Sequence, residues 1–136
     1  MTDITATVQW SETEPPATVS TCHELDQVLH QAGARCAPER PIVVAIYVHG
    51  YQIRIGIGLH ESFVHVERPK SDASESCLIT VGSGQARHGV VFYFLGTRPT
   101  EIPQRNLIPT SQARGIVREF FETGRRSMNV KWEELR

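Results

Sequence analysis

Residues 41–59 read PIVVAIYVHGYQIRIGIGL, and the change of texture within them decides the fold. Residues 42–50 form a near-continuous β-branched run, the mark of a strand covered on both faces. Gly50-Tyr51 supplies a turn. From Gln52 the pattern alternates, placing Ile53, Ile55, Ile57 and Leu59 on one face of a second strand. Strands joined by so short a connection pair antiparallel, because a parallel pair needs a crossover of about a dozen residues.

The same signature continues on both sides. Downstream, SFVHVER (62–68) sets Phe63 against Val64 and Val66, and CLITVG (77–82) and VVFYFLG (90–96) follow. The polar segment PKSDASES (69–76) separates the first two. GSGQARHG (82–89) reads as a flexible hairpin turn before the third. Upstream, TATVQW (5–10) alternates in polarity and is a further strand, and SETEPPATVS after it is a loop marked by Pro15-Pro16.

Two segments switch to helical spacing. Thr21 opens the first, with Glu24 in the capping-box position; Cys22, Leu25, Val28, Leu29 and Ala32 share one face, and Gly33 closes it. In the second, Ala113, Ile116, Val117, Phe120 and Phe121 follow i, i+3, i+4, i+7, i+8, between a start at 109–111 and a stop at Gly124. Arg114, Arg118, Glu119 and Glu122 form its polar face. Burying each large apolar side chain contributes about 1.5–3 kcal/mol, so this helix must pack on the sheet. The order β-α-β-β-β-β-β-α-β describes an α+β fold: a mainly antiparallel sheet of about six strands with two helices on one face. At 136 residues, 40% of them apolar and 21% charged, the chain is expected to be one domain, 1–136.

Composition narrows the functional classes. A net charge of −1 lacks the basic excess of a nucleic-acid binder. No apolar run reaches the roughly 18–20 residues that cross a bilayer, and MTDITATVQW lacks the features of a secretory signal, so the expected location is the cytoplasm without a membrane partner. Cys22, Cys36 and Cys77 are odd in number and carry no CxxC spacing. They are expected to be reduced, partly buried thiols rather than a disulfide framework or zinc site.

Sites of chemistry are hard to find. His23 and His30 lie seven residues apart on a helix, about 10 Å along its axis, too far for one ion. His49, His60 and His65 lie on or beside neighbouring strands without HxH or HExxH spacing. No GxSxG elbow or Cys/His signature occurs, and residues 82–89 lack the Lys-Ser/Thr ending and following helix of a phosphate loop. Glu119, Glu122, Glu133 and Glu134 sit where solvated carboxylates are ordinary. The chain is expected to have no catalytic residues, no metal and no cofactor. Trp10, ending its strand, reads as core, whereas Trp132 suits core and contact surface alike. The Arg/Pro-rich loop TRPTEIPQRNLI (97–108) suits either a preorganised contact surface or a tight connection. Two alternatives stay open: a small-ligand-binding or enzymatic domain using an open sheet face around His49, Tyr51, His60 and His65, and a structural subunit of a larger assembly formed through an apolar patch.

Residues 93–134, YFLGTRPTEIPQRNLIPTSQARGIVREFFETGRRSMNVKWEE, carry a more specific pattern. Its elements are the aromatic strand Val91 to Leu95, Glu101-Ile102-Pro103, Leu107-Ile108-Pro109, Ala113, Phe120-Phe121, Thr123-Gly124, and Val130 with Trp132. This pattern resembles the Imm1 family of bacterial immunity proteins, small antidotes encoded beside polymorphic toxins. The resemblance implies an α+β fold with a characteristic tryptophan at Trp132. It implies a partner, the cognate toxin domain encoded by a neighbouring gene, often of the deaminase superfamily. It also implies protection by occlusion rather than catalysis, without direct nucleic-acid contact. Arg98, Glu101, Arg105, Trp132, Glu133 and Glu134, polar or aromatic residues around the motif, are the candidate partner-binding residues; the oligomeric state is left open.

Overall fold

A computed structural model describes residues 4–11, 13–37, 39–68, 77–83 and 87–135; the polar segment at 69–76 and the middle of the Gly-rich turn, 84–86, lie outside the described residues. In chain order the elements are β1 (Ala6–Gln9), β2 (Ala17–Val19), α1 (Cys22–Arg35), β3 (Ile42–Val48), β4 (Tyr51–Ile57), β5 (Glu61–Ser62), β6 (Val64–Glu67), β7 (Cys77–Val81), β8 (Val90–Leu95) and β9 (Arg98–Pro103). A 3-10 turn (Gln104–Asn106), β10 (Ile108–Pro109), α2 (Thr110–Thr123) and β11 (Lys131–Glu134) follow. The sheet runs β11-β7-β6-β4-β3-β1-β2, with β8 branching from β3 and β9 paired to β8. Among the described residues every pairing is antiparallel except a single parallel bridge, Ile42 opposite Phe94.

The central hairpin forms as its sequence demands, with one shift. Val48 lies opposite Tyr51, so the loop is His49-Gly50 rather than Gly50-Tyr51. Both loop residues have positive φ, 54° and 79°, as a type I′ hairpin requires. The second strand ends at Ile57, and Leu59 falls outside it beyond Gly58 (φ 118°).

Strand alternation gives this sheet two differently covered faces. Val8, Val44, Ile46, Val48, Ile53, Ile55, Ile57, Val64 and Val66 face both helices in one core, with Leu25 and Leu29 of α1 and Ile116, Val117, Phe120 and Phe121 of α2. The two helices thus share one face, and the fold is α+β. Thr21 caps α1 through a complete capping box, its Oγ1 accepting from the Glu24 backbone N–H at 3.1 Å. The helix does not stop at Gly33 but runs to Arg35. Gly33 instead allows close approach to β4, since a Cβ there would lie 3.2 Å from Ile57 Cγ2. The opposite face carries a smaller core of Val43, Phe63, Ile79, Tyr93, Ile102 and Leu107, closed by the β8–β9 hairpin. Gly56 leaves room for Tyr93, whose Cε2 would be 2.6 Å from a Cβ at that position.

Several expectations give way. Nine strands, not about six, form the main sheet among the described residues, and β5 with β10 makes a separate two-stranded ribbon. The loop expected at 11–20 contains β2, and the loop expected at 97–108 contains β9, the 3-10 turn and β10. The expected strand 62–68 is broken at Phe63, whose ring lies in the second core, opposite Val64 and Val66 as alternation places it, in edge-on contact with Tyr93 at 5.1 Å. Residues 82–89 do not close a hairpin, because β8 pairs with β9 and β3 and not with β7. The common cause is tertiary. Short segments that carry proline have little strand propensity of their own and pair only because a neighbouring strand presents free hydrogen-bonding groups.

Candidate functional site

The residues singled out by sequence distribute over β9, the 3-10 turn and β11. β9 is an outer strand, hydrogen-bonded among the described strands only to β8. Leu95 lies opposite Arg98, and Gly96 (φ 63°) takes the first loop position, the pattern of a type II′ turn. Arg98 and Glu101 are exposed on this hairpin, and neither makes an ion pair among the described residues. Glu101 lies opposite Phe92, and both point away from the core that holds Tyr93 and Ile102.

Arg105 and Glu133 are brought together. Arg105 Nη2 lies 3.0 Å from Glu133 Oε1, and the same oxygen accepts from Asn106 Nδ2 at 2.9 Å. Asn106, 1% exposed, also donates to the Thr80 carbonyl (2.9 Å), while Thr80 Oγ1 donates to the Asn106 carbonyl (3.1 Å). The Asn106 amide holds the Glu133 carboxyl below the usual carboxylate range, against the opposing effect of burial and with further help from Arg105. This knot ties the 3-10 turn to β7 and β11. Arg105 and Glu133 are therefore partly engaged in support, although the guanidinium stays 56% exposed. Asn106 was not singled out by sequence: an Asn between prolines reads as loop, and nothing local reveals a buried amide with two acceptors.

Trp132 and Glu134 lie on the other face of β11 by strand alternation. Trp132 is half-buried against the helix-side core, its indole Nε1 donating to the Ser127 carbonyl at 3.0 Å. Trp10 likewise packs on that core while half-exposed. The six candidates thus fall into two groups, Arg98, Glu101, Arg105 and Glu133 on the hairpin side and Trp132 with Glu134 on the helix side, separated by the edge strand β11.

The histidines and Tyr51 do not converge. His49 Nε2 lies 2.9 Å from the Phe121 carbonyl, and Tyr51 meets the Phe120 ring edge-on at 5.1 Å, so both brace the end of α2. They line a cavity of about 400 Å³ with Tyr47, Gln52 and Glu67, which His60 and His65 do not reach. His65 lies on the opposite face, its Nε2 2.9 Å from Cys77 Sγ. Burial, reinforced by the Arg54 charge, pushes His65 down; burial, reinforced by Glu67, pushes the Cys77 thiol up. These directions favour a thiol beside a neutral imidazole, the reverse of an activated thiolate couple. No group of three or more His, Cys, Asp or Glu among the described residues is placed to hold a metal ion. Among the described residues no helix is long and apolar enough to cross a membrane.

A helix-backed antiparallel sheet with polar side chains displayed on an outer hairpin and an edge strand defines the class, an α+β protein. The model of the family described as Immunity protein Imm1 matches residues 13–134, nearly the whole length. The chain belongs to this family of immunity proteins, a family generally without enzymatic activity. Among the curated proteins nothing matches.

Proposed function

We propose that this chain is an antidote of a polymorphic toxin system, a single domain over 1–136 that works in the cytoplasm of the producing cell. It binds a cognate toxin domain, of deaminase or other nucleic-acid-targeting type, and covers that toxin's active site or substrate entry. The observation that carries the reading is the family match over residues 13–134, which implies a toxin-immunity role. Occlusion asks for affinity, not chemistry. A Kd near nanomolar corresponds to about −12 kcal/mol and comes from roughly 1,600 Å² of interface in which a few residues dominate.

The proposed contacts are Arg98, Glu101, Arg105, Trp132, Glu133 and Glu134. Their division over two faces fits a partner that straddles the β11 edge. The acidic members suit a toxin whose substrate groove is basic, as a nucleic-acid-targeting groove is expected to be. A protection assay tests the reading: a toxin domain encoded next to this gene is induced in a sensitive bacterial host with and without the chain. Rescue with co-purification as a 1:1 complex is the expected result. Toxicity that persists despite soluble co-expression breaks the pairing.

A further inference from the structure

We propose that the outward face of the β8–β9 hairpin, centred on Phe92 and Glu101, is the anchor of the toxin interface. It would take a partner surface that sets an apolar recess beside a basic side chain. The inference rests on the antidote reading and names the part of the surface that holds the toxin.

Register places Val90 opposite Pro103, Phe92 opposite Glu101 and Phe94 opposite Pro99, all on the face turned away from Tyr93 and Ile102. Phe92, 49% exposed, is the most exposed large apolar side chain of the sheet among the described residues, and Val90, at 41%, follows Tyr47 at 43%. Phe94, at the end of the stripe, is covered by the Arg40 guanidinium at 4.2 Å, and Arg40 Nη2 also donates to the Gly96 carbonyl. Phe92 has no such cover among the described residues. A soluble protein that turns adjoining apolar residues outward on a rigid ribbon does so at a contact surface more often than by accident.

The mode of contact follows from the backbone. Phe94 gives its N–H to the Pro41 carbonyl at 2.8 Å, so its partner Pro99 turns its nitrogen to the free edge of β9. Pro103, four residues on, does the same. Of the three outward nitrogens only that of Glu101 carries a hydrogen, so an added strand finds one donor where it needs three. Recognition is thereby left to the side chains of the face.

Charge selects the occupant. A second copy docked about a two-fold axis through this stripe would set Glu101 against its own counterpart, a repulsive contact. The apolar stripe offers a few hundred Å² at most, with roughly 150–250 Å² for a whole Phe, against about 800 Å² per partner in a stable complex. It therefore suits the centre of a larger heteromeric interface whose rim is polar. A basic partner side chain would then pair with Glu101 as Phe92 is desolvated.

The test uses the full chain and the toxin domain that it neutralises in the protection assay, with affinity measured by calorimetry. Phe92→Ser and Glu101→Lys should each weaken binding roughly 30-fold or more, while Arg118→Ala, on the distant helix face, binds as wild type. Glu101→Lys removes no buried surface, so it carries the test if Phe92→Ser melts early. Retention of wild-type affinity by Glu101→Lys together with a folded Phe92→Ser overturns the proposal. So does self-association of the wild-type chain that Phe92→Ser abolishes, which would assign the face to a second copy. If the wild-type chain binds no neighbouring toxin, the antidote reading itself falls and this inference falls with it.

Discussion

One face of the central sheet is covered by α1 and α2, the other by the β8–β9 hairpin and the 3-10 turn, and the two coverings are held in different ways. The helix side is an apolar core in which Phe120, Phe121, Ile116 and Leu25 meet the β-branched residues of β3, β4 and β6. The hairpin side has fewer apolar residues and adds directional bonds: Tyr93 donates to the Glu61 carbonyl at 2.7 Å, and the Thr80–Asn106–Glu133 knot fastens the turn. The hydrophobic effect is non-directional, whereas hydrogen bonds fix the relative position of the groups they join. A surface that must meet a partner in one geometry is better built on the second kind of support, and the exposed candidates Arg98, Glu101 and Arg105 are built on it.

Phe120→Ala removes a 3% exposed ring that also contacts His49 and Tyr51, and should cost about 3–5 kcal/mol in urea unfolding. If it costs less than the polar changes below, the helix side is not the main source of stability. Asn106→Ala leaves Thr80 and Glu133 short of partners and should cost about 1–3 kcal/mol. It should also speed amide exchange in the 3-10 turn and β11 while α1 and α2 stay protected. Thr21→Ala removes the α1 cap and should cost about 1 kcal/mol, with no effect on exchange in the turn.

A pH series sharpens the same contrast. The folded-state pKa of Glu133 lies below its unfolded value, so its contribution to stability is present above the unfolded value, about 4.3, and is lost as pH falls through the lower folded one. The stability gap between wild type and Glu133→Gln should therefore shrink as pH is lowered from 5 through that window, followed by chemical denaturation at fixed pH values. A gap constant from neutral to acid pH would show the knot does not depend on the carboxylate charge. Smallest of all, Phe92→Ala should change stability by no more than about 0.5 kcal/mol, because its ring already faces water.

How far the sequence could be read follows the same division. Both helices, their buried faces and the capping box at Thr21 were legible because helical periodicity is local and the apolar residues all point one way. β3 and β4 were legible for the same reason, with the turn displaced by one residue to His49-Gly50. β9 was not legible: Pro99 and Pro103 argue against a strand, and the segment is one only because β8 offers an edge on which proline nitrogens can face outward. The break at Phe63 was hidden as well, because the alternation runs through it unchanged and carries no sign that Glu61-Ser62 pairs with Ile108-Pro109 instead of continuing the strand. Of the candidate surface, the exposed charges were visible as residue types. Their separation by β11, and the pairing of Arg105 with Glu133 through Asn106, were not.

The α+β class and the helix-side core follow from local periodicity, and the likeness to the Imm1 family from residue types at set spacing along one continuous segment. The neighbours of each strand, the folding of the hairpin over the second face, and the meeting of Phe92 and Glu101 on its outer side arise from long-range pairing. Those depend on contacts between segments tens of residues apart, whose closure is governed by the whole packed sheet and leaves no periodic trace in any one of them.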